Sequence, residues 1–217
     1  MDILPSIIAS DFSSLNDEIK SIEECNLKFI HLDVMDGHFV NNLTFGPLIV
    51  CAIRKMTNLI LDTHLMISNP SKYLLKFYEC SDIVDVHIET GKEAFECIEI
   101  AKRNNFKIGI VVNPETHPKY IFPVLEDVEQ VIIMTVSPGF AGQEMIESVL
   151  WKIEFLHNFR TKNNLPFKIT IDGGVNWNNI YKLKNLGADR VVMGKSFFSL
   201  SIDERKNYTL KFKTSPQ

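Results

Sequence analysis

Eight short apolar runs recur along the chain, at 3–10, 28–35, 59–66, 83–88, 106–112, 130–136, 167–172 and 189–193. They are rich in Ile and Val and nearly continuous in apolarity, the pattern of strands buried on both faces. Between them the period changes to that of amphipathic helices. Leu15, Ile19 and Ile22 mark one helix over 13–26; Phe95, Ile98 and Ala101 mark one over 92–104. Met145, Val149, Ile153 and Leu156 mark a third over 144–162. Alternation of strand and helix requires a parallel sheet, because a strand reaches a parallel neighbour only through a crossover. Eight such units are the number that closes an α/β barrel. An open doubly wound sheet is the alternative, but the G-x-G-x-x-G that would favour it after the first strand is absent. No Pro/Gly/Ser linker interrupts the 217 residues, which predicts a single (β/α)8 domain over 1–217. The last helical stretch, 201–213, is short and weakly patterned and is expected to fray.

Composition narrows the class. With 45% hydrophobic and 23% charged residues the chain reads as a globular protein with one large core. The net charge of −4 and the lack of a basic stripe argue against nucleic acid as a partner. A small anionic substrate stays open, because a local pocket decides that. Cys25, Cys51, Cys80 and Cys97 form no C-x-x-C pair, which predicts reduced, mostly buried thiols. The start of the chain, with Asp2, Pro5 and Ser6, is unlike a signal peptide, and no run of 18 apolar residues occurs. A cytoplasmic protein with no membrane partner is the expectation.

The informative positions are polar residues inside these apolar runs. Alternation places His31, Asp33 and Met35 on one face of the second strand, and His64 and Met66 on one face of the third. Asp172 ends the seventh strand, with Ile169 and Ile171 facing the helices. Two imidazoles and two carboxyls therefore converge at the C-terminal strand ends, where barrel active sites are built. Buried carboxylates without partners are costly, and a divalent cation ligated by imidazole and carboxylate removes that cost. A hydrogen-bonded polar cluster would explain any one of these histidines alone; four residues from three strand ends favour a metal. Asp85, His87 and Glu89 alternate on the fourth strand and read as supporting or structural groups. His38, His117 and His157 read as surface residues. Glycine-rich loops follow the last three strands: Ser137-Pro138-Gly139-Phe140-Ala141-Gly142, Asp172-Gly173-Gly174 and Gly194-Lys195-Ser196. Glycine lets backbone N–H groups approach an anion, and barrels often bind phosphate after strands seven and eight. Three such loops around one mouth predict a phosphate subsite.

From Ile3 to Phe198 the sequence resembles the ribulose-phosphate 3-epimerase family. The resemblance is carried by Pro5-Ser6-Ile7-Ile8, His31-Leu32-Asp33-Val34-Met35-Asp36-Gly37-His38-Phe39-Val40, His64-Leu65-Met66, Met134-Thr135-Val136-Ser137-Pro138-Gly139-Phe140 and Asp172-Gly173-Gly174-Val175. It implies a TIM barrel that interconverts D-ribulose 5-phosphate and D-xylulose 5-phosphate in the pentose phosphate pathway, as a homo-oligomer. It also implies that His31, Asp33, His64 and Asp172 hold one zinc, iron, manganese or cobalt ion. Asp33 and Asp172 would be the acid/base pair, with Ser6 and His64 touching substrate. Gly139, Phe140, Ala141, Gly142, Gly173, Gly174, Gly194 and Lys195 would surround the phosphate. Met35, Met66 and Met134 read equally as a dry cap over the reacting carbons and as core packing.

The chain departs from the family at three places. Ala141 stands where Gly is common, Asn41 where Pro is usual (which would loosen the loop after the second strand), and Lys195 where a small hydroxyl residue is usual. Lys195 either pairs with phosphate or extends into water. The nearest rival is D-allulose-6-phosphate 3-epimerase, which the Gly-Phe-Ala-Gly loop resembles; Phe45-Gly46-Pro47 and Pro5-Ser6-Ile7 lean toward the ribulose enzyme. A non-catalytic sugar-phosphate-binding barrel would not need both Asp residues. A metal-dependent hydrolase barrel would carry H-x-H on its first strand, which has no His.

Overall fold

The Ile/Val runs form eight parallel strands in the computed structural model, which describes residues 1–214. They are β1 (Asp2–Pro5), β2 (Phe29–Met35), β3 (Ile60–Met66), β4 (Ile83–His87), β5 (Lys107–Val112), β6 (Gln130–Met134), β7 (Lys168–Asp172) and β8 (Arg190–Met193). The hydrogen-bonded order is β1-β8-β7-β6-β5-β4-β3-β2. A parallel bridge between Ser6 and His31 joins the two ends and brings the ring close to closure. Around it run α1 (Leu15–Glu24), α2 (Pro47–Arg54), α3 (Leu74–Tyr78), α4 (Lys92–Asn104), α5 (Trp151–Asn163), α6 (Ile180–Asn185), α7 (Lys195–Phe198) and α8 (Ile202–Thr214). No helix among the described residues is long and apolar enough to cross a membrane.

The main core is the layer between strands and helices. Outward residues such as Ile30, Leu32, Leu65, Val86 and Ile133 pack on Ile22, Ile53, Phe77, Ile98 and Leu156. Inside the ring the residues alternate with these. Leu4, Phe29, Ile83 and Val192 form an apolar plug toward the N-terminal ends of β2 and β4. Against it lies a polar layer of Asp62, Asp85, Gln130, Thr170 and Arg190, all buried, with the Arg190 guanidinium over the Phe29 ring. Gly109 of β5 makes room for it: a Cβ there would lie 1.8 Å from Asp85 Oδ1 and 2.9 Å from Gln130 Cγ.

Several elements differ from their sequence expectation, each for a local reason. The first strand stops at Pro5 rather than residue 10, because a 3-10 turn at Ile7–Ala9 takes over the backbone, with Ser10 N–H donating to Ile7 O at 2.9 Å. The buried stripe of α4 is Ala94, Cys97, Ile98 and Ala101, while Phe95 is 41% exposed. The helix expected from residue 144 begins at Trp151; Met145 is drawn instead under the mouth of the barrel. The β5–β6 crossover holds only a 3-10 helix, Pro118–Val124; Pro118 suits its first position, while Pro123 inside it removes a backbone donor that an α-helix would need. The C-terminal helix is firm through Thr214. A capping box starts it, Ser201 N–H donating to Glu204 Oε2 at 2.8 Å. Buried Arg205 then donates to Leu200 O, Phe198 O and Ser21 Oγ and pairs with Glu18, tying the helix to α1. The expectation of four reduced thiols is corrected. Cys51 on α2 and Cys80 after α3 are joined as a disulfide, their Cα atoms 5.0 Å apart, whereas Cys25 and Cys97 are free and buried. Their separation of 29 positions along the chain hides this proximity from the sequence.

Candidate active site

The β2–β3 register sets Asp33 beside His64 and Met35 beside Met66, all pointing into the ring. Asp172 arrives at the same level from β7, three steps round the ring from β2 by way of β1 and β8 rather than diametrically opposite. His31 Nε2 lies 3.4 Å from Asp33 Oδ1 and 3.7 Å from Asp172 Oδ2. His64 Nδ1 lies 3.3 Å and 3.5 Å from the same two atoms. One ligand atom from each of the four residues falls within 4.8 Å of the others.

The outward nitrogens of both imidazoles are occupied. His31 Nδ1 is 2.7 Å from Asp62 Oδ2, and His64 Nε2 is 2.8 Å from His87 Nε2. The inward nitrogens, His31 Nε2 and His64 Nδ1, are buried and have no hydrogen-bond partner. A buried ring nitrogen left unpaired is expensive. Two lone pairs and two carboxylates aimed at one point are a donor set for a divalent transition metal, so the residues fit such an ion.

The electrostatics point the same way. Burial alone would depress His31, but the Asp33 and Asp62 carboxylates outweigh it and raise its pKa well above the ordinary value. His64 is likewise opposed by burial and raised to about 9 through Asp172 and Asp33. Burial would raise Asp33, yet His31 and His64 hold it well below the usual carboxylate range. The same carboxylates that would share a cation with these imidazoles thus favour their protonated form when none is bound. Burial pushes His87 the other way, to about 4, against the pull of Glu89.

Above this cluster opens a cavity of about 360 Å³. Its floor is Ser6, Asp33 and Asp172; Met35, Met66 and Met134 line one wall. Ser6 Oγ donates to Asp33 Oδ2 at 2.5 Å. The far side is formed by Gly139, Phe140, Ala141, Gly142, Gly173, Gly174, Gly194 and Lys195. His31 and His64 lie beneath the floor, fully buried. Gly173 and Gly174 are required as glycines: both have positive φ, +114° and +63°, and Cβ atoms would meet Val136 at 2.6 Å and Met145 N at 2.4 Å. Phe140 is 59% exposed and stands at the outer lip with Ala141. The loop after β2 is not loose. Asp36 accepts N–H bonds from His38, Phe39 and Ser68, and Asn42 Nδ2 donates to Gly139 O at 2.7 Å, tying it to the loop after β6.

All residues expected at the site are brought together. His38 and His117 are exposed and His157 is half-buried, remote in role from the cluster. Sequence reading passed over Asp62, which sits two residues before His64 on the same face, and Gln130, whose alternation also points inward. It also passed over Asn176 and Ser199, which line the cavity; their loops carry no strand period to aim them.

A family model described as the ribulose-phosphate 3 epimerase family matches residues 2–198. The ribulose-phosphate 3-epimerase of Bacillus subtilis (strain 168) is 41% identical over 206 residues, 94% of either chain. The chloroplastic ribulose-5-phosphate-3-epimerase of Arabidopsis thaliana is 40% identical over 199 residues, 90% of this chain and 71% of that one. Among solved structures, a 3-hexulose-6-phosphate synthase superposes with a TM-score of 0.69 at 14% identity, covering 98% of both chains. That last likeness speaks to the fold alone.

Proposed function

This chain belongs to the ribulose-phosphate 3-epimerase family, and on that premise we propose that it interconverts D-ribulose 5-phosphate and D-xylulose 5-phosphate, the epimerase step of the pentose phosphate pathway, through Asp33 and Asp172. Inverting a carbon next to a carbonyl requires removal of its proton and return of one to the opposite face. Asp33 and Asp172 both open into the cavity, from strands on two sides of it. In each direction one carboxylate takes the proton and the other, protonated, gives one back. His31 and His64 hold Asp33 ionised, which suits it to the first role, and Ser6 fixes its other oxygen. His31, Asp33, His64 and Asp172 would hold a divalent ion, which would supply Lewis-acid stabilisation for the charge that develops on the substrate. Met35, Met66 and Met134 keep water from the reacting carbons.

The phosphate is held by the backbone of the glycine loops after β6, β7 and β8, with Lys195 at its edge. The ion is zinc, iron, manganese or cobalt. We read residues 1–217 as one catalytic domain working as a homo-oligomer in the cytoplasm, without nucleic-acid or membrane partners. The observation that carries the reading is the pair of unpartnered imidazole nitrogens facing two carboxylates below a cavity walled by glycine loops. Metal analysis of the purified protein, with turnover of D-ribulose 5-phosphate and D-allulose 6-phosphate side by side, tests it. Bound transition metal and preference for the pentulose phosphate are expected; preference for the hexulose phosphate would assign the sister reaction instead.

A further inference from the structure

The two site imidazoles are backed differently. His31 Nδ1 meets a carboxylate directly, at Asp62. His64 Nε2 meets a second imidazole, His87 Nε2 at 2.8 Å. The two ring planes are inclined by only 27°, with centroids 4.9 Å apart, so the rings meet edge to edge through these nitrogens. Behind His87, its Nδ1 lies 3.1 Å from Glu89 Oε2. Glu89 is itself fixed by the Asn113 N–H, which donates to Oε1 at 2.9 Å. That N–H belongs to a loop pinned from α5, where buried Lys152 donates to the carbonyls of Asn113, Pro114 and Thr116.

Proton placement follows from this geometry. Between two imidazole nitrogens in contact, one must donate and the other accept. A carboxylate only accepts, so His87 carries its proton on Nδ1, toward Glu89, and offers the lone pair of Nε2. His64 must then carry its proton on Nε2, which leaves the Nδ1 lone pair facing Asp33 and Asp172. His87 is fully buried and covered by the Phe39 ring, with centroids 4.7 Å apart, so water does not reach it as a substitute acceptor.

We propose that His87 and Glu89 are positioning residues that lock His64 in the tautomer and orientation in which Nδ1 is free to ligate a divalent cation. The inference rests on the metal reading above and adds residues that touch neither ion nor substrate. Outer partners of this kind characteristically change metal affinity about 10- to 100-fold when removed.

The test is a Co²⁺ titration of the chelator-stripped full chain, read by the visible absorption of bound Co²⁺ and by competition with a chromogenic chelator. His87→Phe keeps a buried ring but removes the acceptor; His87→Gln places an amide oxygen near the Nε2 position; Glu89→Gln keeps shape and removes charge. His87→Phe should bind Co²⁺ about 10- to 100-fold more weakly with an altered spectrum. His87→Gln should recover most of that loss, and Glu89→Gln should show a smaller loss in the same direction. A purely structural role predicts equal losses for Phe and Gln, and that result would overturn the proposal, as would unaltered affinity and spectrum in His87→Phe. If His87→Phe does not fold, Glu89→Gln decides, and wild-type affinity there refutes the relay. The unaltered protein is titrated first: failure to bind Co²⁺ would remove the metal reading itself and this inference with it, and is distinguishable from a relay that is absent.

Discussion

Two polar layers lie one above the other inside this barrel, and they are partnered in opposite ways. In the inner layer Gln130 is the hub. Its amide nitrogen donates to Asp62 at 2.6 Å and Asp85 at 2.9 Å, and its oxygen accepts from Thr170 at 2.7 Å and Arg190 at 2.9 Å. Burial and the neighbouring Asp62 carboxylate push Asp85 well above its ordinary value. Apart from Asp85 Oδ2, that layer is satisfied among the described residues. In the layer at the mouth, two imidazole nitrogens lack partners and two carboxyls open onto the cavity. Satisfied buried networks rigidify a unique interior; groups left unsatisfied mark the place where something else is bound. The inner layer is therefore scaffold and the outer layer is site, although both are made of the same kinds of side chain.

The contrast breaks first, and most completely, at the metal. Chelation should abolish epimerisation, and Zn²⁺, Mn²⁺, Co²⁺ or Fe²⁺ should restore it; full turnover by protein verified to be metal-free would leave the open nitrogens unexplained. Next come Asp33→Asn and Asp172→Asn. Each should cost at least about 10²- to 10⁴-fold in kcat while circular dichroism shows the barrel intact. Substantial turnover in either variant would sink the two-base assignment.

The proton-loaded site gives a pH signature with a definite sign. His64 has an ordinary value of 6.5 and is raised to about 9 in the fold. Its contribution to stability is fully present below pH 6.5 and is lost as pH rises through about 9, on the order of 3 kcal/mol at the limit. Chelated protein should therefore melt lower at pH 9 than at pH 6.5. A melting temperature that stays level over this window would mean that the carboxylates do not hold the imidazole charged. The inner layer answers to a different substitution. Gly109→Ala drives a methyl into Asp85 and Gln130 and should destabilise the fold by about 1–3 kcal/mol in urea, with kcat of the folded enzyme nearly unchanged. A loss of kcat without a loss of stability would show that the scaffold layer takes part in the chemistry.

How much of this was legible beforehand differs by layer too. Seven of the strands begin and end within about two residues of their apolar runs, because a strand buried on both faces writes itself as a continuous run. His31, Asp33 and His64 were legible because polar residues interrupt such runs with period two. Asp62 carries the same signal but has no visible partner in sequence: its meaning depends on the β2–β3 register that sets it beside His31. The His64–His87 contact likewise needs two strands in place. The Cys51–Cys80 bond and the Arg205 anchor are invisible for the same reason, since each joins residues far apart in the chain. Pattern reports which face a residue takes, whereas the partners that decide its role come from neighbouring strands and helices.

The smallest expected effect lies at the outer lip, at Lys195. Its side chain is exposed and runs past Gly142, where a Cβ would meet Lys195 Cδ at 3.3 Å. An ammonium in water near a phosphate is worth no more than about 1 kcal/mol, and salt screens it. Lys195→Ser should therefore raise KM for ribulose 5-phosphate by about two- to fivefold at low ionic strength, leave kcat unchanged, and differ less from wild type as salt is added. That salt dependence separates the two readings of this residue. A lysine extending into solvent predicts the same KM with and without the substitution at every ionic strength. A KM change that persists in high salt would instead mean that the substitution disturbs the backbone between Gly194 and Ser196, whose Oγ donates to Val175 O at 2.6 Å, and would move the phosphate contact from the charge to the loop.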